Sequence, residues 1–176
     1  MAYHSTHKPV FASLFASFFA SLPSIVMLTT LLALLLSAGC GVPFATVTPQ
    51  GFVELKDQEP DYDYRAVNTD GLVIAVRAIK HDPKGDADFW VAAIRKQVRE
   101  MNGYALLDEK KISTRSGLKG TRLMFGHDES GESMRYDVAV FVTDDHIFLV
   151  EFGGTKDEMT RQEPRLDSVL QTFAKK

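Results

Sequence analysis

The sequence predicts an α+β fold: a three-layer α/β/α sandwich with a central, mainly antiparallel sheet and one helix on each face. Three observations predict it. The β-prone runs 72–80 and 138–143 are apolar at both odd and even positions, so both faces of the sheet need a cover. Turn signals such as Thr69-Asp70-Gly71 and Asp128-Glu129-Ser130-Gly131 join neighbouring runs at hairpin spacing. Two further segments, 86–102 and 155–173, repeat their apolar residues with a helical period instead.

Ahead of that domain lies a stretch of another kind. Residues 9–39 carry no ionised side chain, and His4, His7 and Lys8 alone can make the start positive. The Leu-rich core 25–36 has the length of a signal-peptide apolar region, and a Phe-Ala-Ser repeat ended by Pro23 precedes it. The small residues Ser37, Ala38 and Gly39 then lead to Cys40, the one cysteine of the chain. A retained transmembrane helix is the rival reading, because the run exceeds the ~20 residues needed to span a bilayer. Against it, Pro23 divides the run, no Lys or Arg follows closely, and small residues stand where a peptidase cuts.

This pattern resembles bacterial lipoprotein precursors, with Ser37 and Ala38 in the lipobox. The resemblance implies cleavage between Gly39 and Cys40, a diacylglyceryl thioether on Cys40, and a third acyl chain such as palmitate on its freed amine. Several chains make attachment effectively permanent, since one alone binds only marginally. Gly41 stands where family members retained at the inner membrane often have Asp. That implies an outward-facing, membrane-anchored lipoprotein, on the periplasmic side of the outer membrane in a Gram-negative host. The expected division is a removed signal peptide over 1–39, a lipid-anchored tether over 40–50, and a single domain over 51–176.

Of 176 residues, removal of 39 leaves 137, a length that buries enough surface for a stable core. The leader's only Lys or Arg is Lys8, so the mature part keeps 19 basic and 23 acidic side chains, a net −4. That balance argues against a nucleic-acid partner, which needs a basic footprint, and against electrostatic docking of the chain as a whole on anionic lipid. With a single cysteine no intrachain disulfide can form, and acylation of Cys40 removes the last thiol.

In the mature chain, Gly41, Pro43 and Pro49 give 41–50 the composition of an extended tether. A first strand follows at 51–55. Asp57, Glu59, Asp61 and Asp63 have the charge of a calcium loop but not its spacing, and read as a solvated acidic loop. Strands at 64–68 and 72–80 form a hairpin, with Arg77 interrupting the second apolar face. After the loop 81–85, a helix is expected from an Asp86 or Asp88 N-cap to Gly103, burying Trp90, Ala93, Ile94, Gln97, Val98 and Met101. Arg95, Lys96, Arg99 and Glu100 make its solvent face. Four strands at 104–113, 120–126, 133–143 and 147–152 follow, with Gly117 and Gly120 bracketing the first turn and 143–146 closing the last hairpin. Gly153-Gly154 reads as a turn into the closing helix, which Thr155 and Glu158 start at capping-box spacing. Pro164 is expected to break or restart that helix, and Leu166, Val169, Leu170 and Phe173 to form its buried stripe.

The order of these elements resembles the PsbP-like fold group, including the bacterial DcrB-like envelope proteins, over residues 52–174. The resemblance rests on the leading hairpin, the helix ending in Gly103-Tyr104, the strands 120–125 and 136–143, and the closing helix ending Leu170-Gln171-Thr172-Phe173. It implies binding and assembly roles and supplies no catalytic residues.

The chemistry-bearing residues agree with that implication. His81, His127 and His146 lie in loops or at strand edges, without the i, i+4 pairing beside a Glu that marks a zinc helix. Ser116-Gly117 and Ser130-Gly131 are turn dipeptides, and no Gly-x-Ser-x-Gly elbow occurs. Gly153-Gly154 lacks a phosphate-loop Lys, and Asp144-Asp145 belongs to a hairpin tip. No catalytic residue, metal site or cofactor is therefore assigned. The expectation is a non-enzymatic lipoprotein, held to its membrane at Cys40, that binds or helps assemble an envelope component. The alternatives are a membrane-tethered envelope hydrolase, which needs a cleft gathering His127, His146 or acidic residues, and a small-ligand or metal-binding lipoprotein.

Overall fold

The computed structural model describes residues 41–56 and 60–176, the side chain of Met101 excepted. The lipobox Ser37–Cys40, with Asp57 and Glu59 of the acidic loop, lies outside the described residues. From Val42 the chain forms one compact unit. In chain order it contains β1 (Phe44–Ala45), β2 (Phe52–Glu54), β3 (Tyr64–Asn68), β4 (Val73–Lys80), α1 (Ala87–Asn102), β5 (Ala105–Ser113), β6 (Lys119–Glu129), β7 (Glu132–Val142), β8 (His146–Thr155), α2 (Lys156–Thr172) and β9 (Ala174–Lys175). Seven strands form one antiparallel sheet in the order β2-β3-β4-β8-β7-β6-β5, while β1 and β9 pair as a separate antiparallel ribbon. Among the described residues, no helix is long and apolar enough to cross a membrane.

Side chains alternate across the sheet, so odd and even positions of the central strands feed two separate cores. Ile74, Val76, Ala139, Phe141, Phe148, Val150 and Phe152 pack under α2 with Met159, Leu166, Val169, Leu170 and Phe173. Leu123, Phe125, Val138, Val140, Ile147 and Leu149 pack under α1 with Val91 and Val98. The three-layer α/β/α arrangement with one helix on each face is thus present. In α1, Asp86 is the N-cap and accepts from the Phe89 N–H, and Gly103 closes the helix in the left-handed conformation. Val91 is the most buried α1 side chain, whereas Trp90 and Ile94 are half-buried at the edge of the core. The Ser130-Gly131 turn has positive φ at both residues, the two-residue geometry that matches strand twist.

Five local expectations are corrected. The tether over 40–50 is shortened, because Phe44 is a core residue at 2 % exposure and β1 already pairs with β9. Gly153 and Gly154 are not a turn but ladder positions of β8, opposite Tyr136 and Arg135. Gln97, expected among the buried side chains of α1, is exposed, while Gly120 lies at the start of β6 as expected, where a Cβ would stand 2.5 Å from the Phe141 ring. Pro164 does not break α2, which runs unbroken from Lys156 to Thr172. The ~3 kcal/mol cost of an interior proline is offset by core contacts on both sides of it, Met159 before and Leu166 after. Finally, Glu158 stands at the capping-box position, yet its carboxylate accepts from Asn68 Nδ2 and Gln162 Nε2, each at 2.9 Å, which ties α2 to the β3–β4 hairpin.

Two further contacts fix α2 on the sheet. Phe173 stacks between Phe44 and Phe141, at 5.7 and 5.4 Å between ring centroids, and meets the Phe148 ring edge-on. Beside it, Asp137 of β7 accepts from Arg122 at 2.5 Å and Arg135 at 2.7 Å, and Arg122 continues to Asp167 at 2.8 Å and Glu163 at 3.0 Å on α2. Removing one member of a buried pair leaves its partner charged and unmatched, at about 3–5 kcal/mol. Asp137→Ala removes the buried carboxylate shared by two guanidinium groups, which keep only the more exposed Glu163 and Asp167 of α2. It is expected to lower unfolding free energy by up to about that amount, and Phe173→Ala by about 3–5 kcal/mol through its cavity. Urea unfolding followed by circular dichroism checks both, and a loss below 1 kcal/mol in either would mean α2 is held by something else.

Candidate functional site: a cleft beside the Arg77–Glu151 pair

One helix cannot cover a seven-stranded sheet. Strands spaced about 4.8 Å apart make a surface near 30 Å wide, whereas a helix with its side chains is about 10 Å across. On its face α1 packs on β5, β6 and β7. The same face of β3 and β4 is left without a helix, and Ile79 there is 42 % exposed. The apolar cover expected on both faces of β4 is therefore complete only on the α2 side.

A cleft of about 330 Å³ opens along this uncovered strip. Its wall on the helix side is Ile94, Gln97, Val98 and Asn102, and its floor is Arg77, Tyr136, Val138, Leu149 and Glu151. Tyr62 and Tyr104 stand among the lining residues. A shallower hollow of about 180 Å³ shares Tyr62, Tyr136 and Glu151 with it and extends to Gly153, where no side chain fills the surface. A volume near 300 Å³ is at the lower end of what small-ligand sites occupy, and its lining is more polar than apolar.

The polar floor is held rigidly. Arg77 Nε donates to Glu151 Oε1 at 2.6 Å, and the Tyr136 hydroxyl donates to Glu151 Oε2 at 2.8 Å. Both carboxylate oxygens are thus engaged from opposite sides. The pair is a diagonal cross-strand neighbour, because Ala75, two residues before Arg77 on β4, is the partner of Glu151 on β8. The Tyr62 ring lies 5.5 Å from the guanidinium carbons of both Arg65 and Arg77, so it separates two cations as an aromatic spacer.

These contacts shift the charges in consistent directions. Burial works to lower the Arg77 value, but the Glu151 carboxylate outweighs it and holds the guanidinium above its ordinary value. Burial pushes the Tyr136 phenol far up, and the negative Glu151 pushes it the same way. The result is a fixed, protonated hydrogen-bond donor and a charged guanidinium, both held on the Glu151 side chain.

The three histidines are not brought together. His81 is a bracket for the loop ahead of α1. Its Nε2 accepts from the Gly85 N–H at 3.0 Å and the Trp90 Nε1–H at 3.1 Å, so Nδ1 carries the proton and donates to the Thr143 carbonyl at 2.6 Å. His127 stacks on Tyr104 at 5.0 Å on the α1 face, whereas His146 stacks on Phe148 at 5.6 Å on the α2 face. No group of three His, Cys, Asp or Glu side chains suited to a metal ion occurs among the described residues. Asp144 and Asp145 lie at the hairpin tip, where their carbonyls accept from Lys84 Nζ and the His81 N–H. Reading by motif missed Glu151 and Tyr62. The available signal was one charge of each sign, Arg77 and Glu151, inside strands that are otherwise apolar on both faces.

The sequence matches no protein-family model and no curated protein. Solved structures do share its fold. The Ran-binding protein Mog1p of Saccharomyces cerevisiae is similar at a TM-score of 0.55 and 14 % identity, over 75 % of this chain and 89 % of that one. LpqN, involved in cell envelope biogenesis of Mycobacterium tuberculosis, is similar at 0.55 and 12 % identity, over 78 % and 86 %. Cyanobacterial PsbP of Synechocystis sp. PCC 6803 gives 0.48 at 13 % identity, over 76 % and 87 %. At such identities the likeness is one of fold alone: an α+β sandwich of the kind seen in Mog1p and LpqN.

The Tyr136 shift has a testable sign. A phenol whose value is raised by folding contributes stability that is complete below about pH 10, its unfolded value, and is lost as pH rises beyond it. Tyr136→Phe is expected to lower stability at neutral pH by about 1–3 kcal/mol, since Glu151 loses a donor, and to flatten the alkaline limb. Urea unfolding from neutral to alkaline pH measures both; an unchanged limb in the variant would remove Tyr136 from the pair.

Proposed function

We propose that the chain is a bacterial lipoprotein, anchored by acyl chains on Cys40, whose domain binds an envelope component through the α1-face cleft without catalysing a reaction on it. The observation that carries the reading is the join between leader and fold. The lone cysteine follows Ser37-Ala38-Gly39, and Phe44, already a core residue, comes four positions later. LpqN, whose involvement is in cell envelope biogenesis, has this fold and supports an envelope role here.

The cleft supports binding. Its polar groups are paired with one another in a preset arrangement, so a ligand meets them without the cost of ordering them. The envelope-hydrolase alternative needs a cleft gathering His127, His146 or acidic residues. The two histidines stand on opposite faces of the sheet, and the acidic side chain in the cleft, Glu151, has both oxygens engaged by Arg77 and Tyr136. Its partner is an envelope component reached from the membrane surface, on the periplasmic side of the outer membrane in a Gram-negative host.

Two variants test the two halves of the proposal in the native host. Cys40→Ser is expected to abolish lipid labelling and leave unprocessed precursor; normal processing would mean an ordinary signal peptide. A photo-crosslinking residue at the exposed cleft-rim position Gln97 is expected to capture one reproducible envelope component, and Arg77→Gln to reduce that capture severalfold. Equal capture from Gln97 and from a site on the far face of the domain would remove the cleft from the account.

A further inference from the structure

Resting on the lipid anchor proposed above, we infer that the β1–β9 ribbon is the surface this domain turns to the headgroups of its own bilayer, and that the α1-face cleft opens away from it. The first part of the inference comes from reach. Only residues 41–43 separate Cys40 from Phe44, and at 3.3–3.6 Å per residue the chain spans at most about 14 Å between them. Phe44 is fixed in the core by Phe148 and Phe173, and the Lys176 N–H donates to the Pro43 carbonyl at 2.9 Å, so the ribbon cannot pay out further chain without unfolding.

Phe44 and the cleft lie on opposite faces of the sheet. Phe44 packs with Phe148 and Phe173 in the α2-side core, while the cleft floor is made by Tyr136, Val138, Leu149 and Glu151 on the α1 side. If the cleft lay on the anchoring bilayer, a helix layer and the sheet would stand between that bilayer and Phe44, roughly 20 Å or more. That exceeds the reach of the chain. The cleft is therefore presented to components beyond the anchoring membrane.

Chemistry at the ribbon fits an anionic lipid surface. Val42 is 37 % and Val47 58 % exposed, two of the few large apolar side chains in the open. Lys175 and Lys176 are exposed beside them on β9 and just after it. The groove beneath Val47 is lined by Pro49, Gln50, Arg165, Ser168, Val169 and Thr172, with no acidic side chain among them. Valine methyls at the acyl boundary and lysines at phosphate level are the two contacts an interfacial surface makes. The net negative charge of the mature chain does not oppose this, because at physiological salt charges beyond about 8 Å are screened.

The chain supplies its own probe, since Trp90 on α1 is its single tryptophan. The mature lipoprotein is reconstituted in phosphatidylcholine vesicles with and without phosphatidylglycerol, carrying headgroup-spin-labelled lipid as quencher, and acylation of Cys40 is verified by mass spectrometry. The inference expects Trp90 emission to be almost unquenched, and the emission added by Val47→Trp to be quenched severalfold more. Lys175→Glu with Lys176→Glu is expected to reduce the Val47→Trp quenching in the phosphatidylglycerol vesicles only. Equal quenching at both positions, with Cys40 acylated, overturns the orientation and leaves the anchor standing. An unquenched Val47→Trp that instead cross-links to a second copy gives the ribbon to a protein contact and likewise overturns it. Absence of the lipid on Cys40 overturns the anchor and this inference together.

Discussion

The structure depends on one constraint: the strands at its centre are apolar on both faces. Val138 to Phe141 and Ile147 to Val150 are buried at every position, so a sheet built from them cannot show either face to water. Two covers are required, and the chain supplies two helices, one after β4 and one after β8. The α2 side is the better closed of the two. There the cover is a composite of α2 and the β1–β9 ribbon, pinned by Phe44, Phe141, Phe148 and Phe173 at its apolar end and by Arg122, Arg135 and Asp137 beside them. A buried ion network of this kind adds little net energy over an apolar equivalent but is costly to break, so it fixes where α2 sits more than how tightly it is held.

The α1 side is closed only in part, and a cleft lies in the part left open. One 16-residue helix packs on β5, β6 and β7, and the cleft beside it is floored by Arg77, Tyr136 and Glu151 together with the apolar Val138 and Leu149. Arg77 and Glu151 are tolerated inside apolar strands because each satisfies the other and Tyr136 takes the remaining carboxylate oxygen. The three side chains thus satisfy one another on the sheet surface, with the Tyr62 and Tyr104 rings among the residues that line the same cleft. The far edge of the sheet is protected differently: β5 carries Asp108, Glu109, Lys110 and Lys111 and is irregular between Leu106 and Asp108, which discourages pairing with another strand.

Much of this was legible in the sequence. Asp-Gly and Ser-Gly turns fixed the hairpins, Asp86 and Gly103 bounded α1, and the Leu166–Phe173 stripe identified the buried side of α2. The misreadings share a cause: local signals were overridden by packing between distant segments. Pro164 reads as a helix break until Met159 and Leu166 are seen to hold both halves on one core. The stretch around Phe44 reads as a tether because its partner, Ala174–Lys175, lies at the other end of the chain. The cleft was hidden for the same reason, since Arg77 and Glu151 stand 74 residues apart and only strand pairing makes them neighbours.

Phe44 joins these strands of the account. It closes the α2-side core, and it brings the chain into the fold where a tether was expected. Amide hydrogen exchange of the protein, read on peptides covering residues 42–50, tests it most directly. Participation of β1 in the core predicts that these amides exchange on the slow timescale of the β9 and α2 peptides, and that Phe173→Ala releases them together. Free exchange across 42–50 in the intact protein, as in an unstructured tether, would contradict it.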